Sequence, residues 1–491
     1  MTNAFFGADP FLFPSISPNL LDAIRMAYGV LLLATILGTL PHARRYFLSE
    51  RWGGYAQSSA FVDSLQNPVV LPILILAWFG ASAALVIGRY VAAAALVNVL
   101  LCRYFFIQMR WRGVLRGMGA PGFIAYWLGA AVLLLEYVRR FAPDLQGLTL
   151  LVLQIDFALI MLSAGMYKFS AGYRRNHGME LGMVNPEWGY WGGFWQKLSP
   201  GAVYFRVFNE LAWGTEVVAA ILMLFPPTRF IGGMLILLSF IFIATQIRLG
   251  FLCEMVIVCC LLFAHPGSLV DGWAHWLIPQ PAAVVATPGP ATLKTMLAVG
   301  LWTYLVLLPV VRGGLLYNFH AKKSLPDAVQ RVFETYTNLF GLIIWRVFSA
   351  DITNFFIRIY EQSRTSSERR LVSRWGRSVR FSQVAESITV TTLFTTLKYY
   401  PSNNDLFVDR LLRYARTVPR RSEGLLVFEY VSVIKRTDYF DFVPVAEYLV
   451  DVDAGVVTER ALESSLSVRS PADASPIHEG ARPGSYVPLH R

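Results

Sequence analysis

The sequence predicts an α-helical polytopic membrane bundle of about nine transmembrane helices, followed by a small α+β C-terminal cytoplasmic domain. Three observations lead there. Apolar runs of nearly bilayer-spanning length recur over the first two-thirds of the chain. Charged residues make up only 15% of the 491 residues, short of the roughly 25% with which a soluble protein covers its core. After about residue 320 the long runs stop, and shorter segments with turn signals replace them.

The apolar runs lie near 20–40, 68–87, 90–108, 123–139, 148–169, 208–226, 228–247, 250–265 and 293–311. Each approaches the roughly 20 residues that a helix rising about 1.5 Å per residue needs to cross the hydrocarbon core. The stretch 1–19 contains no Lys or Arg, so no cleavable signal peptide is expected there. Residues 1–320 are therefore assigned to the bundle. Residues 321–374 are assigned to an amphipathic, membrane-surface and linker region, in which Phe333, Tyr336, Leu339, Phe340, Ile343, Ile344 and Phe348 lie among charges. Residues 375–463 are assigned to the α+β domain. Within it, 387–398 (SITVTTLFTTLK) is rich in β-branched residues and predicts a strand. Leu406–Thr417 predicts a helix, and Leu425–Val433 and Phe440–Val452 predict two more strands. Residues 464–491, rich in Ser, Pro, Gly and Ala, predict a disordered tail.

Loop charge orients the bundle. With the N-terminus outside, the cytoplasmic connections carry Arg44, Arg45, Arg51, Arg110, Arg112, Arg116, Arg174, Arg175, Lys197, Arg206 and Arg248. The opposite connections carry few basic residues, and 265–292 carries none. This bias places the N-terminus outside and the C-terminus in the cytoplasm, with the plasma membrane as the expected location. The net charge of +11 fits anionic lipid headgroups, and no nucleic-acid-binding motif accompanies it. Membrane lipids are the expected partners, and nucleic acid is not.

Ionisable groups are costly inside a bilayer, so each one within an apolar run is a candidate functional residue. Asp156, Lys168, Glu210, Glu216 and Glu254 form that set, with Arg103 and Glu136 nearer run ends. Asp156 and Lys168 are separated by about 18 Å of helix and cannot pair on one segment. Lys168 and Glu216 fall on adjacent antiparallel runs, where pairing would lower the cost of burying each. A lysine in apolar surroundings can act as a base near neutral pH. The competing reading has Lys168 snorkelling to the interface and Glu216 bonding a neighbouring helix. The connection 170–207 concentrates Trp188, Tyr190, Trp191, Phe194 and Trp195 among glycines. It reads either as an interfacial aromatic belt or as a re-entrant cap over a cavity. The seven histidines lie in loops, at run ends or in the tail, with no metal-site spacing, so no metal is expected. The four cysteines all lie in apolar runs and read as small hydrophobic filler.

The stretch Met161–Phe169 (MLSAGMYKF), followed by Gly178 and Met179, resembles the Ala-Gly-x-x-Lys signature of HTTM-domain membrane proteins. That family is related to the membrane domain of vitamin K-dependent γ-glutamyl carboxylase. Trp213–Val217 (WGTEV) and Arg248–Phe251 (RLGF) are similar to its next landmarks, and the resemblance covers roughly residues 20–320. It implies that Lys168 is the base acting toward a hydroquinone. The chain departs from the carboxylase in having no histidine inside an apolar run and a smaller C-terminal region.

Together these readings predict a lipid-accessible cavity around Lys168 and Glu216, with Asp156, Glu210, Trp188, Trp191 and Trp195 as binding residues. It would take a quinone or lipid-like molecule, with acid–base or redox chemistry. The alternative is a non-catalytic scaffold whose cytoplasmic domain recruits a protein partner; a transporter ranks third.

Overall fold

In the computed structural model the described residues are 12–462, except 57, 59–62, 109–118, 171–172, 174–177, 280–288, 322–324, 341–349, 365–366, 373–379 and 421–423. Among the described residues, seven helical stretches are long and apolar enough to cross a membrane: Pro18–Phe47, Val70–Ile87, Gly122–Phe141, Pro143–Phe169, Val203–Leu224, Pro226–Gln246 and Ala291–Tyr317. The two remaining apolar runs of the sequence form the shorter helices Val91–Ile107 and Leu252–Phe263. At 1.5 Å per residue the second of these is far shorter than a roughly 30 Å hydrocarbon core.

The principal helices are α1 (Pro18–Thr39), α2 (Val70–Ile87), α3 (Val91–Cys102), α4 (Gly119–Phe141), α5 (Gln146–Ser170) and α6 (Val203–Leu224). They continue as α7 (Arg229–Gln246), α8 (Leu252–Cys260), α9 (Ala291–Ala321) and α10 (Asp327–Phe340). Consecutive apolar helices from α1 to α8 pack as neighbours, and α5 packs against both α6 and α9. The centre is α5, most of whose residues are buried, whereas only 22% of the apolar stretch of α2, and of α9, is buried. Exposed apolar faces of this extent suit lipid rather than water.

The C-terminal region is an antiparallel sheet of five strands with two helices on one face. The strands are β1 (Phe355–Gln362), β2 (Arg369–Leu371), β3 (Leu425–Lys435), β4 (Phe440–Asp451) and β5 (Val456–Ala461), in the order β2-β1-β3-β4-β5. The helices are α11 (Arg380–Tyr399) and α12 (Asn404–Arg416). Two corrections to the sequence reading follow. The sheet begins at Phe355, inside the stretch assigned to a linker, because Ile357 and Ile359 alternate with Arg358 and Tyr360 and bury the isoleucines. The β-branched segment 387–398 is helix, not strand. Its Val390, Leu393, Phe394 and Leu397 recur at helical spacing and pack on Phe428 and Tyr448 of the sheet. Buried threonines in that helix bond backward, as Thr395 Oγ1 does to the Thr392 carbonyl at 2.7 Å. The predicted amphipathic stretch contributes α10, whereas 341–349 and the tail from 463 lie outside the described residues.

Successive strand residues face opposite ways, and the sheet uses both faces. Phe355, Ile357, Phe428 and Tyr448 meet α11 and α12, whereas Phe356, Val431, Val433 and Phe440 join the core of the helical bundle. Side-chain bonds pin the two together at one end. Asn185 donates to the carbonyls of Thr353 and Phe355, both at 2.9 Å, Lys435 pairs with Glu180, and Arg413 lies 3.6 Å from Glu50. The opposite end of the bundle is closed by Ser17 with Asp271, Asn19 with the Ile278 carbonyl, Lys294 with Asp144, and Arg139 with Asp22. The long connections 41–67 and 170–207 thus share the sheet's end, and 265–294 lies at the other.

Candidate functional site

The site begins with a glycine. A Cβ on Gly165 would lie 2.7 Å from Val217 Cγ2, 3.0 Å from the Trp213 carbonyl oxygen and 3.1 Å from Glu216 Cβ. Its absence lets α6 seat directly on α5. Lys168, three residues on, shares that face and reaches Glu216 of α6. Lys168 Nζ donates to Glu216 Oε1 as a buried ion pair. Lys168 is 6% exposed and Glu216 1%. The ammonium also sits 6.0 Å from the centre of the Tyr173 ring.

Around the pair is a small cavity of about 20 Å³, room for one water molecule. Its polar side chains are Lys168, Glu216 and Tyr173; Met161, Met179, Phe240 and Leu252 are among its apolar ones. Glu216 Oε2 is buried with no hydrogen-bond partner among the described residues. Burial, and then the negative charge of Glu216, hold the Tyr173 phenol well above its usual range.

The connection 170–207 roofs this cavity. Its short helix Met179–Val184 is anchored by the Met179 N–H donating to Asn209 Oδ1 at 2.8 Å. The turn after α7 closes the side. There Tyr190 N–H bonds the Gln246 carbonyl at 3.0 Å, and Arg248 N–H bonds the Trp188 carbonyl at 2.8 Å. The Arg248 guanidinium donates to the Pro186 carbonyl at 2.9 Å and covers the Tyr190 ring. Glu187 in the same roof is 1% exposed, and its carboxyl is held well above the usual range, first by burial and then by nearby Glu386.

The other residues selected from sequence do not converge on this cavity. Asp156 forms a separate buried network, with Oδ2 accepting from Trp127 Nε1 at 2.8 Å and Tyr304 OH at 2.9 Å. Its Oδ1 accepts from Arg312 at 3.2 Å. Both oxygens are satisfied, so this aspartate holds α5, α4 and α9 together. Glu210 is exposed on the outer face of α6, turned away from the pair; the inward residue there is its neighbour Asn209, fully buried. Trp188 and Trp195 are buried in the roof, whereas Trp191 is 57% exposed and donates to the Thr245 carbonyl at 2.9 Å. None of the three tryptophans lines the cavity.

Sequence reasoning passed over Tyr173, Asn209, Arg312 and the Asp22–Arg25 pair. Arg312 had a signal, since it lies eight residues from Tyr304 and so on the same helical face. Glu136, near the end of its run, pairs with Arg139 and Arg140 at 3.6 and 3.9 Å and is itself buried. Among the described residues no three His, Cys, Asp or Glu side chains converge as metal ligands would. Comparison with family models, curated proteins and solved structures returns no match in any of the three.

Proposed function

We propose that this chain is an integral membrane protein of the HTTM type, with its N-terminus outside and its sheet domain in the cytoplasm. In this reading the Lys168–Glu216 pair is an acid–base site for a lipophilic molecule carrying a hydroxyl or carbonyl group, such as a quinone or a lipid. The observation that carries it is the unpartnered Glu216 Oε2. Asp156 satisfies both oxygens and Glu136 has two arginines, but Glu216 keeps one acceptor without a partner among the described residues, inside an apolar cavity. Leaving a buried acceptor unpaired costs about 1–3 kcal/mol, and an incoming hydroxyl recovers that loss.

Each residue then has a defined task. Glu216 Oε2 accepts the hydrogen bond, and Lys168 holds the proton that the pair can exchange with the bound group. Tyr173, held protonated, donates without itself ionising. The apolar lining excludes water and strengthens each of these interactions. A cavity of this size admits water, so a ring enters only when the Met179–Val184 roof moves aside.

Purified protein examined by native mass spectrometry tests the reading. A co-purified quinone or lipid should be retained by the unmodified chain and lost from Glu216→Gln and Lys168→Met. Equal retention in all three would reject it.

A further inference from the structure

A second cavity, of about 660 Å³, opens at the sheet-domain end of α1. It is lined by Pro41, His42, Arg44 and Arg45 on one side and by 416–420 with Asp453 on the other. Four of these side chains are arginines and one is acidic.

Arg45 builds the cleft. It is buried and donates to Thr417 Oγ1 at 3.0 Å, to the Thr417 carbonyl at 3.3 Å and to Tyr414 OH at 3.4 Å, with Glu386 at 3.6 Å. Its charge faces Glu386 and each of its three nitrogens is engaged, so it acts as a pin between the short helix Ala43–Phe47 that follows α1 and the end of α12. That pin brings two other arginines to the same opening. Arg44 spends Nε on the Gly53 carbonyl at 3.2 Å and keeps its terminal nitrogens for other partners. Both Arg44 and Arg416 are exposed and have no carboxylate partner among the described residues. Arg420 is held by Asp453 at 3.2 Å. The last carbonyls of α12, which would repel an anion, are occupied by the N–H groups of Thr417 and Val418.

The position of the cleft indicates what kind of anion belongs there. Val30, Leu37 and Leu40 are exposed at 51%, 53% and 42% and fall on one face of α1. This apolar stripe runs toward Pro41, at the cleft's rim. Phosphate beside two free guanidinium groups, with a hydrocarbon chain along the adjacent helix, is the arrangement a phospholipid offers. We infer that the cleft binds the phosphate of an anionic phospholipid from the leaflet facing the sheet domain. The inference rests on the membrane placement proposed above and is independent of the acid–base reading.

The test uses the full chain in detergent, incubated with a nine-to-one mixture of phosphatidylcholine and phosphatidylglycerol and then examined by native mass spectrometry. Phosphatidylglycerol should be retained preferentially. Removing both free charges in R44Q/R416Q should lower that preference about thirtyfold. R89Q, an exposed arginine at the other end of the bundle, should leave it unchanged. L37S/L40S should weaken lipid retention while leaving both arginines in place. Glycerol 3-phosphate forms the second arm. If it binds as tightly as the lipid and L37S/L40S has no effect, the ligand is a soluble phosphate ester and the lipid assignment falls. If R44Q/R416Q elutes as a folded monodisperse species yet keeps the wild-type preference, the cleft is not the site. Failure of both arms would leave the Lys168–Glu216 assay untouched.

Discussion

Replacing Lys168 with alanine withdraws the cation that, among the described residues, pairs with a carboxylate that is 1% exposed and has one oxygen without a described partner. Both Glu216 oxygens are then unpaired in an apolar cavity, and the expected loss is about 3–5 kcal/mol. Glu216→Ala should cost less, about 2–3 kcal/mol, because Lys168 keeps the Tyr173 ring and sits near the end of α5. The double substitution removes both charges and leaves mainly lost packing. It should therefore cost at least about 2 kcal/mol less than the two single losses added together. Unfolding in mixed micelles by SDS titration, followed by tryptophan fluorescence, supplies the four free energies. Additivity within about 0.5 kcal/mol would refute the pairing. Lys168 should also resist water-soluble amine reagents, and rapid labelling would put its ammonium at the surface.

Four further outcomes are expected. Gly165→Ala should destabilise by about 1–3 kcal/mol through overpacking against Val217 and the Trp213 carbonyl, measured by the same titration. Asp156→Ala should cost about 3–5 kcal/mol by stranding Arg312, and Arg312→Met in that background should restore part of the loss. Glu187 has a folded pKa raised by burial, so it favours the fold only while protonated. Its contribution is present below the ordinary carboxylate pKa and declines as pH rises toward the raised folded value. Glu187→Gln should accordingly stabilise the protein at neutral and alkaline pH, and identical pH profiles for both chains would contradict this. Finally, reporters fused near Ala283 and after Arg491 should report opposite sides of the membrane, the second cytoplasmic.

The sheet is tied to the bundle more closely than an independently folded cap would be. Phe356, Val431, Val433 and Phe440 share the core of the bundle, and Tyr55 from the 41–67 connection packs edge-on to Tyr414 of α12. Excising the sheet would uncover both surfaces. Independence of such a domain is hard to read from sequence, because strand periodicity shows that successive residues face opposite ways but not what covers each face.

The apolar helices, the strands β3 and β4, and the short set of costly charges that includes Lys168 and Glu216 are legible in the chain alone. Those features are local, since hydropathy, periodicity and the penalty for burying a charge all act within one segment. Tertiary structure decided which face of each helix turns inward. Glu210 and Asn209 are neighbours, yet packing against the roof exposes the first and buries the second. Packing on a sheet likewise made a helix of 387–398, where intrinsic β preference differs from helix preference by too little to resist. Pairings across 48, 156 and 372 residues, Lys168 with Glu216, Arg312 with Asp156 and Arg45 with Thr417, join elements that the chain keeps far apart. Segment periodicity carries no information about such distances, because the energy that fixes them arises only when the segments meet.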